Sequence, residues 1–177
     1  MEKRAIITVK SFSDIEPNEA IEVVTPGTFI IHEDGFKAIY EESELSGMDG
    51  TTTTLNIKHN SMVLERVGST STNMEFKEGE NVLSLYNTPY GMLNLNIDTK
   101  RLKINMNEEG GEIHSKYVIG LDGQEGITTI LDIKNTMTKE AFIRLVIKWN
   151  QGSPYKDNII PGIQWNGEKN IRFGDDN

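Results

Sequence analysis

Acidic residues cluster at the end of one predicted strand and are the first candidates for chemistry. Glu41, Glu42 and Glu44 stand close to Asp49, and on an extended strand Glu42 and Glu44 point to the same side. Two carboxylates on one side of a strand can bind a cation or share a proton, which raises the pKa of one of them. The same residues also fit an acidic rim that faces solvent, and the sequence favours this second interpretation.

Four consecutive threonines follow this acidic segment. Thr52 and Thr54 share one face of a predicted strand, and Thr51 and Thr53 share the other. If one pair faces the interior, its hydroxyls line a pocket of leucine and isoleucine, which is the character of a small-molecule site. Ordinary β propensity and cross-strand pairing of threonines account for the segment equally well.

Residues 86–91 form a predicted loop with two tyrosines. Tyr86 and Tyr90 could flank the mouth of a barrel, since each combines an apolar ring with one hydroxyl, whereas packing alone also explains them. Asn87 belongs to the same turn. The predicted ligand-binding residues are Tyr40, Glu42, Glu44, Thr52, Thr54, Arg66, Tyr86, Asn87 and Tyr90.

Motifs of catalysis and of metal binding are missing from the sequence. His32, His59 and His114 lack the short spacings of metal sites, and the chain has no cysteine. Gly68-Ser69-Thr70 lacks the second glycine of a hydrolase nucleophile motif, and no phosphate loop or dinucleotide fingerprint is present. We therefore predict no catalytic residues, no metal and no cofactor, and the sequence favours a role other than catalysis.

The elements that must position these residues are strands. Apolar and polar residues alternate over most of 1–135, for example in 93–98 and again in 102–107 after a predicted turn at 98–100. Glycine- or asparagine-containing turns separate the segments, as tight hairpins require. The pattern predicts an antiparallel meander of about 8–10 strands, which a barrel closes because closure removes exposed strand edges.

The pattern changes near residue 135. Phe142, Leu145, Val146 and Trp149 follow helical spacing and predict a helix over about 138–151, followed by a short irregular tail. Residues 136–177 hold six Lys/Arg and five Asp/Glu, which leaves twelve basic and twenty-two acidic residues in 1–135. We predict a barrel domain over 1–135 and an appendage over 136–177, which belongs to the barrel or is a foreign or truncated segment.

Composition narrows the class of partner. The net charge is −9, which disfavours a nucleic-acid partner, because a phosphate backbone is bound mainly through lysine and arginine. No apolar run approaches the roughly 20 residues of a membrane-spanning helix, so no membrane partner is predicted. The first residues lack a signal-like apolar stretch, and together with the absence of cysteine this predicts a cytoplasmic location.

Two segments carry a resemblance to a known family. Residues 40–55, YEESELSGMDGTTTTL, and 84–91, SLYNTPYG, together with the strand at 4–10 and the turn at 107–111, resemble the YwiB-like family of uncharacterised bacterial proteins. The resemblance covers about residues 3–135 and implies a calycin-type barrel, the class of lipocalins and fatty-acid-binding proteins. It implies no activity. The chain lacks the tryptophan of the lipocalin signature and the paired arginines of fatty-acid carriers, so neither group predicts the ligand.

Three functions are compatible with these observations. The leading hypothesis is a small-molecule-binding barrel whose lumen takes a small, partly apolar ligand. The second is a structural or partner-binding barrel whose lumen is filled by side chains. The third is a hydrolase or isomerase that uses Glu42, Glu44 and a tyrosine, which requires these groups to converge in a pocket.

Overall fold

The computed structural model of the protein describes residues 1–16, 18–121 and 126–136, together with two short strands at 163–165 and 171–173. The chain divides into two compact units, Met1–Phe142 and Ile143–Asn177. In the described part of the first unit, ten strands and one short 3₁₀ helix are present. The strands are β1 Glu2–Ser13, β2 Ile21–His32, β3 Gly35–Glu41, β4 Thr51–Ile57, β5 Met62–Gly68, β6 Ser71–Phe76, β7 Asn81–Thr88, β8 Gly91–Asn107, β9 Gly110–Leu121 and β10 Ile127–Thr136.

The ten strands form a closed antiparallel barrel. Each strand pairs with its neighbours in sequence, and β1 pairs with β10 to complete the circle. The 3₁₀ helix Glu44–Ser46 lies between β3 and β4, and the described residues contain no α-helix. The predicted all-β antiparallel barrel is therefore confirmed, at the upper end of the predicted strand number.

Alternation of side chains produces the barrel interior, as β4 illustrates. Thr51, Thr53, Leu55 and Ile57 are buried, and the residues between them are only partly buried. Because successive side chains on a strand point to opposite faces, one half of each strand's residues lines the lumen. The same alternation in the other strands gives one continuous core.

The turn predicted at 98–100 is not a turn. The two predicted strands are a single strand, β8, which pairs with β9 from Leu95 to Asn107 and has a register shift between Thr99 and Arg101. One extra residue on β8 forms a bulge, which bends a strand without ending it. The Asp98-Thr99-Lys100 sequence has turn-like composition, but the long partner strand β9 keeps the chain extended.

Packed side chains fill the lumen at one end of the barrel. Phe29 and Phe36 stack there with their ring centroids 5.5 Å apart. Phe76, Ile57 and Met62 are fully buried beside them. Each side chain of this size stabilises the fold by roughly 1.5–3 kcal/mol when it leaves water, so this end carries much of the hydrophobic stabilisation.

The second unit is described only in its strands. β11 (Ile163–Trp165) and β12 (Ile171–Phe173) form a two-stranded antiparallel sheet in whose register Gln164 pairs with Arg172. The short tail that the sequence predicts after the helix contains these two strands, in which the alternating Ile-Gln-Trp and Ile-Arg-Phe sequences pair. The helix predicted over about 138–151 lies outside the described residues. Within the described residues, no helix has the length and apolar character needed to cross a membrane.

Candidate functional site

A cavity occupies the half of the barrel opposite the phenylalanine cluster. Its volume is about 410 Å³. Most of its wall is apolar, and it extends to Ser46, the last residue of the 3₁₀ helix, and to Met48. The apolar wall includes Val9, Val23, Leu64, Met74, Leu95 and Leu131. A volume of this size is in the range of small-molecule sites.

A row of polar side chains crosses one wall of the cavity. Tyr40 on β3 is paired with Thr53 on β4, and Thr53 is paired with Arg66 on β5. All three occupy the inward-facing register of their strands, because they continue the alternation of buried residues. Glu42 follows the last residue of β3 and extends the polar row toward the open end.

Glu42 is the anchor of this polar row. Its side chain is 3% exposed, and its Oε1 accepts a 2.5 Å hydrogen bond from the Thr53 hydroxyl. Arg66 Nε lies 3.5 Å from the same oxygen, and the Arg66 side chain is 17% exposed. A buried carboxylate is costly unless a cation and hydrogen bonds compensate it, and Thr53 and Arg66 supply both.

Arg66 has unused hydrogen-bonding capacity. Its Nε is buried without a hydrogen bond, and no other hydrogen bond of its guanidinium occurs among the described residues. A charge-assisted hydrogen bond is normally about 2.7–2.9 Å long, so the 3.5 Å contact with Glu42 is a loose ion pair. Since a guanidinium carries five N–H donors, most of its donors remain available to a molecule in the cavity.

Two tyrosines at the cavity are held in the neutral form. Burial is the main cause that raises the pKa of Tyr40 far above its ordinary value, and the Glu42 carboxylate raises it further. Burial also raises the pKa of Tyr117, against the charge of Arg66 and a hydrogen bond with Thr129. Both phenols therefore keep their protons at neutral pH, and Arg66 is close enough to influence each of them.

Four of the predicted site residues line the cavity. They are Tyr40, Glu42, Arg66 and Tyr86. They come from β3, β5 and β7 and from the residue after β3, so the closure of the barrel brings them to one space.

Thr52 and Thr54, the threonine pair predicted to bind a ligand, face the outside of the barrel. Thr51 and Thr53 are the fully buried pair, whereas Thr52 donates a 2.8 Å hydrogen bond to Glu41 on the outside of the barrel. Thr54 shares the outward face of Thr52. The following Leu55 was the available signal, because Thr51 and Thr53 lie in phase with this core residue.

Glu44 does not line the cavity with Glu42. β3 ends at Glu41, and Glu44 is the exposed first residue of the 3₁₀ helix, so the strand geometry that would align the two carboxylates is absent. Among the described residues, no group of three or more histidines and acidic residues is arranged to hold a metal ion.

The two remaining predicted residues lie outside the cavity. Tyr90 is 99% exposed at the tip of the β7–β8 hairpin. Asn87 is also exposed, because it points to the opposite face of β7 from Tyr86. Sequence reasoning missed Tyr117, although it alternates with Ile113, Ser115 and Ile119 on β9.

These features define a class: a closed ten-stranded antiparallel barrel with a cavity at one end and a buried Glu–Arg pair in its wall. The chain belongs to the family described as domain of unknown function DUF1934, whose model matches residues 6–152. This confirms the resemblance to YwiB-like proteins. The match continues past residue 135, where the sequence-based resemblance ended.

A solved structure supports the fold. The chain is similar to the YwiB protein from Bacillus subtilis with a TM-score of 0.68 and 22% sequence identity, over 78% of this chain and 94% of that protein. A comparison with curated proteins gives no match. At this level of identity the likeness concerns the fold alone.

Proposed function

We propose that the protein is a small-molecule-binding barrel whose ligand occupies the cavity between the polar row and the 3₁₀ helix. The observation that carries the proposal is the cavity of about 410 Å³ inside the lumen. A barrel whose only role is structural has no need to leave half of its lumen open, since each lost core contact costs stability. The calycin-type relationship and a partly apolar ligand are parts of this proposal.

The two alternative functions have weaker support. A structural barrel with a filled lumen does not account for the cavity. A hydrolase that uses Glu42 and Glu44 requires the two carboxylates to converge, and Glu44 is exposed on the 3₁₀ helix. Glu42 is also committed to Thr53 and Arg66.

Fluorescence of N-phenyl-1-naphthylamine, a neutral apolar dye, tests the proposal. We expect saturable binding to the wild-type protein. Leu131→Trp fills the cavity and should weaken binding by about tenfold or more, because a bulky ring displaces the dye. Leu83→Trp is the matched control, since Leu83 is 71% exposed. Equal binding by both variants, with folding verified by circular dichroism, would place the dye outside the lumen and contradict the proposal.

Native mass spectrometry of gently purified protein identifies a natural ligand. We expect a bound species of defined mass that denaturing extraction releases. The proposal also assigns the protein to the cytoplasm without nucleic-acid or membrane partners, in keeping with its net charge of −9. Cell fractionation and a salt-dependent DNA-binding assay test these assignments.

A further inference from the structure

The charge balance of the polar row defines the kind of head group that the cavity accepts. Glu42 and Arg66 form an ion pair whose formal charges cancel. The pair lies in a lumen with low exposure, where an additional uncompensated charge is costly to bury. A ligand that brings a charge to this site therefore pays a desolvation cost that a neutral ligand avoids.

The uncommitted hydrogen-bond donors at the same place belong to Arg66, which makes no hydrogen bond among the described residues. Burial keeps Tyr40 and Tyr117 protonated, and their hydroxyls are engaged within the wall, Tyr40 with Thr53 and Glu42 and Tyr117 with Thr129. One oxygen of Glu42, Oε1, is engaged by the Thr53 hydroxyl and by the Arg66 charge. A ligand group that accepts hydrogen bonds complements these donors better than one that donates.

We propose that the cavity selects a neutral, largely apolar molecule with a carbonyl-type acceptor, such as a ketone, ester or amide, whose oxygen binds the Arg66 guanidinium. The proposal rests on the proposed function and adds the chemistry of the head group. The apolar remainder of the ligand lies against Leu64, Leu95 and Leu131. Carboxylates are disfavoured by the neighbouring Glu42, and amines are disfavoured by Arg66.

Displacement of the naphthylamine dye by three chain-matched probes tests the selection: 2-octanone, octanoate and octylamine. We expect 2-octanone to displace the dye from the wild-type protein at about tenfold lower concentration than either charged probe, because each charged probe must lose its hydration to enter a lumen whose ion pair is already neutral. Equal displacement, or preference for octanoate, overturns the head-group assignment while leaving the proposed function intact. Absence of dye binding would instead contradict the proposed function and the assignment with it.

Removal of one charge gives the sharper test. Glu42→Gln leaves Arg66 without a counter-charge, so octanoate should become the preferred probe and gain about tenfold. Glu41→Gln is the matched control, because it removes the same charge from a residue on the outer face of the barrel. If Glu42→Gln keeps the wild-type order of probes, or if Glu41→Gln inverts it, the assignment is wrong.

A second variant covers the case in which Glu42→Gln fails to fold. Glu42→Gln/Arg66→Gln removes both charges and leaves no unpaired ion in the lumen. It should still bind the dye, but 2-octanone should need about tenfold higher concentration to displace the dye than in the wild-type protein, because its oxygen loses the hydrogen bond from the guanidinium. If 2-octanone displaces the dye from the double variant as well as from the wild-type protein, another group binds the carbonyl oxygen and the assignment to Arg66 fails.

Discussion

Thr53 and Glu42 are joined by a 2.5 Å hydrogen bond that links β4 to the residue following β3 inside the barrel. Both side chains are buried. The bond holds the carboxylate next to Arg66, so a hydroxyl on one strand positions the charged group that begins the 3₁₀ connection. The stability of the barrel and the charge of the cavity therefore depend on the same contact.

Thr53→Val should destabilise the protein by about 1.5–3 kcal/mol, because a buried carboxylate loses a hydrogen-bond donor. Thr54→Val makes the same chemical change on the outward face and should alter stability by no more than about 0.5 kcal/mol. Urea unfolding of the two variants measures the difference. Equal effects would show that the hydroxyl of Thr53 does not support Glu42.

The junction of β6 and β7 depends on side chains. Backbone pairing there is limited to Ser71 with Asn87 and Thr72 with Tyr86. Thr72 donates a 3.1 Å hydrogen bond to the carbonyl of Leu85. Thr72→Val should cost about 1–2 kcal/mol and accelerate amide hydrogen exchange in both strands.

Thr99→Val provides the matched control for Thr72→Val. The Thr99 hydroxyl is buried without a hydrogen-bond partner among the described residues. Its removal should leave stability unchanged or raise it by about 1 kcal/mol, because an unsatisfied polar group is costly to bury. A loss of stability in Thr99→Val as large as that in Thr72→Val would contradict the assigned role of the Thr72 hydroxyl.

Glycine is required at position 68 because the end of β5 comes very close to the backbone of Gly50, the residue before β4. A Cβ atom at Gly68 would lie 2.1 Å from the carbonyl oxygen of Gly50, and its φ is +146°. Gly68→Ala should therefore destabilise the protein by about 3 kcal/mol or more. Gly79 also has a positive φ, of +79°, but open space around it, so Gly79→Ala should cost only about 1–2 kcal/mol. Thermal or urea unfolding that ranks the two equally would refute the steric cause.

Stability should fall at alkaline pH. Burial raises the pKa of Tyr40 and Tyr117 in the folded protein, so above about pH 10 the unfolded chain loses protons that the folded chain retains. Each buried tyrosine then contributes a decrease of up to about 1.4 kcal/mol per pH unit. The contribution is complete below pH 10 and is lost as the pH rises toward the folded-state pKa.

Urea unfolding between pH 9 and 11.5 measures this dependence. Tyr40→Phe and Tyr117→Phe should each show a shallower decline than the wild-type protein. Tyr90→Phe is the control, because Tyr90 is 99% exposed and its removal should leave the decline unchanged. A decline that is identical in all four proteins would mean that the two buried phenols do not ionise on unfolding.

The alternation of apolar and polar residues along the chain was enough to predict the strands. The alternation in β4, and the same alternation in most other segments, follows from the two-residue repeat of an extended chain, which needs no knowledge of the fold. The predicted barrel was therefore correct. Of the residues predicted to bind a ligand, Tyr40, Glu42, Arg66 and Tyr86 line one cavity. The bulge in β8 could not be foreseen, because a long partner strand overrides the turn-like composition at residues 98–100.

The sequence by itself determined an acidic, cysteine-free chain of alternating strands that must close to hide its edges. Only the tertiary structure decided which face of β4 is the interior, that Glu44 leaves the strand direction and that Glu42, after β3, lies beside Arg66 on β5 with β4 between the two strands. It also decided that one end of the lumen is filled and the other is open. These properties depend on strand register and on how side chains from distant segments share one volume, and neither is encoded in local spacing.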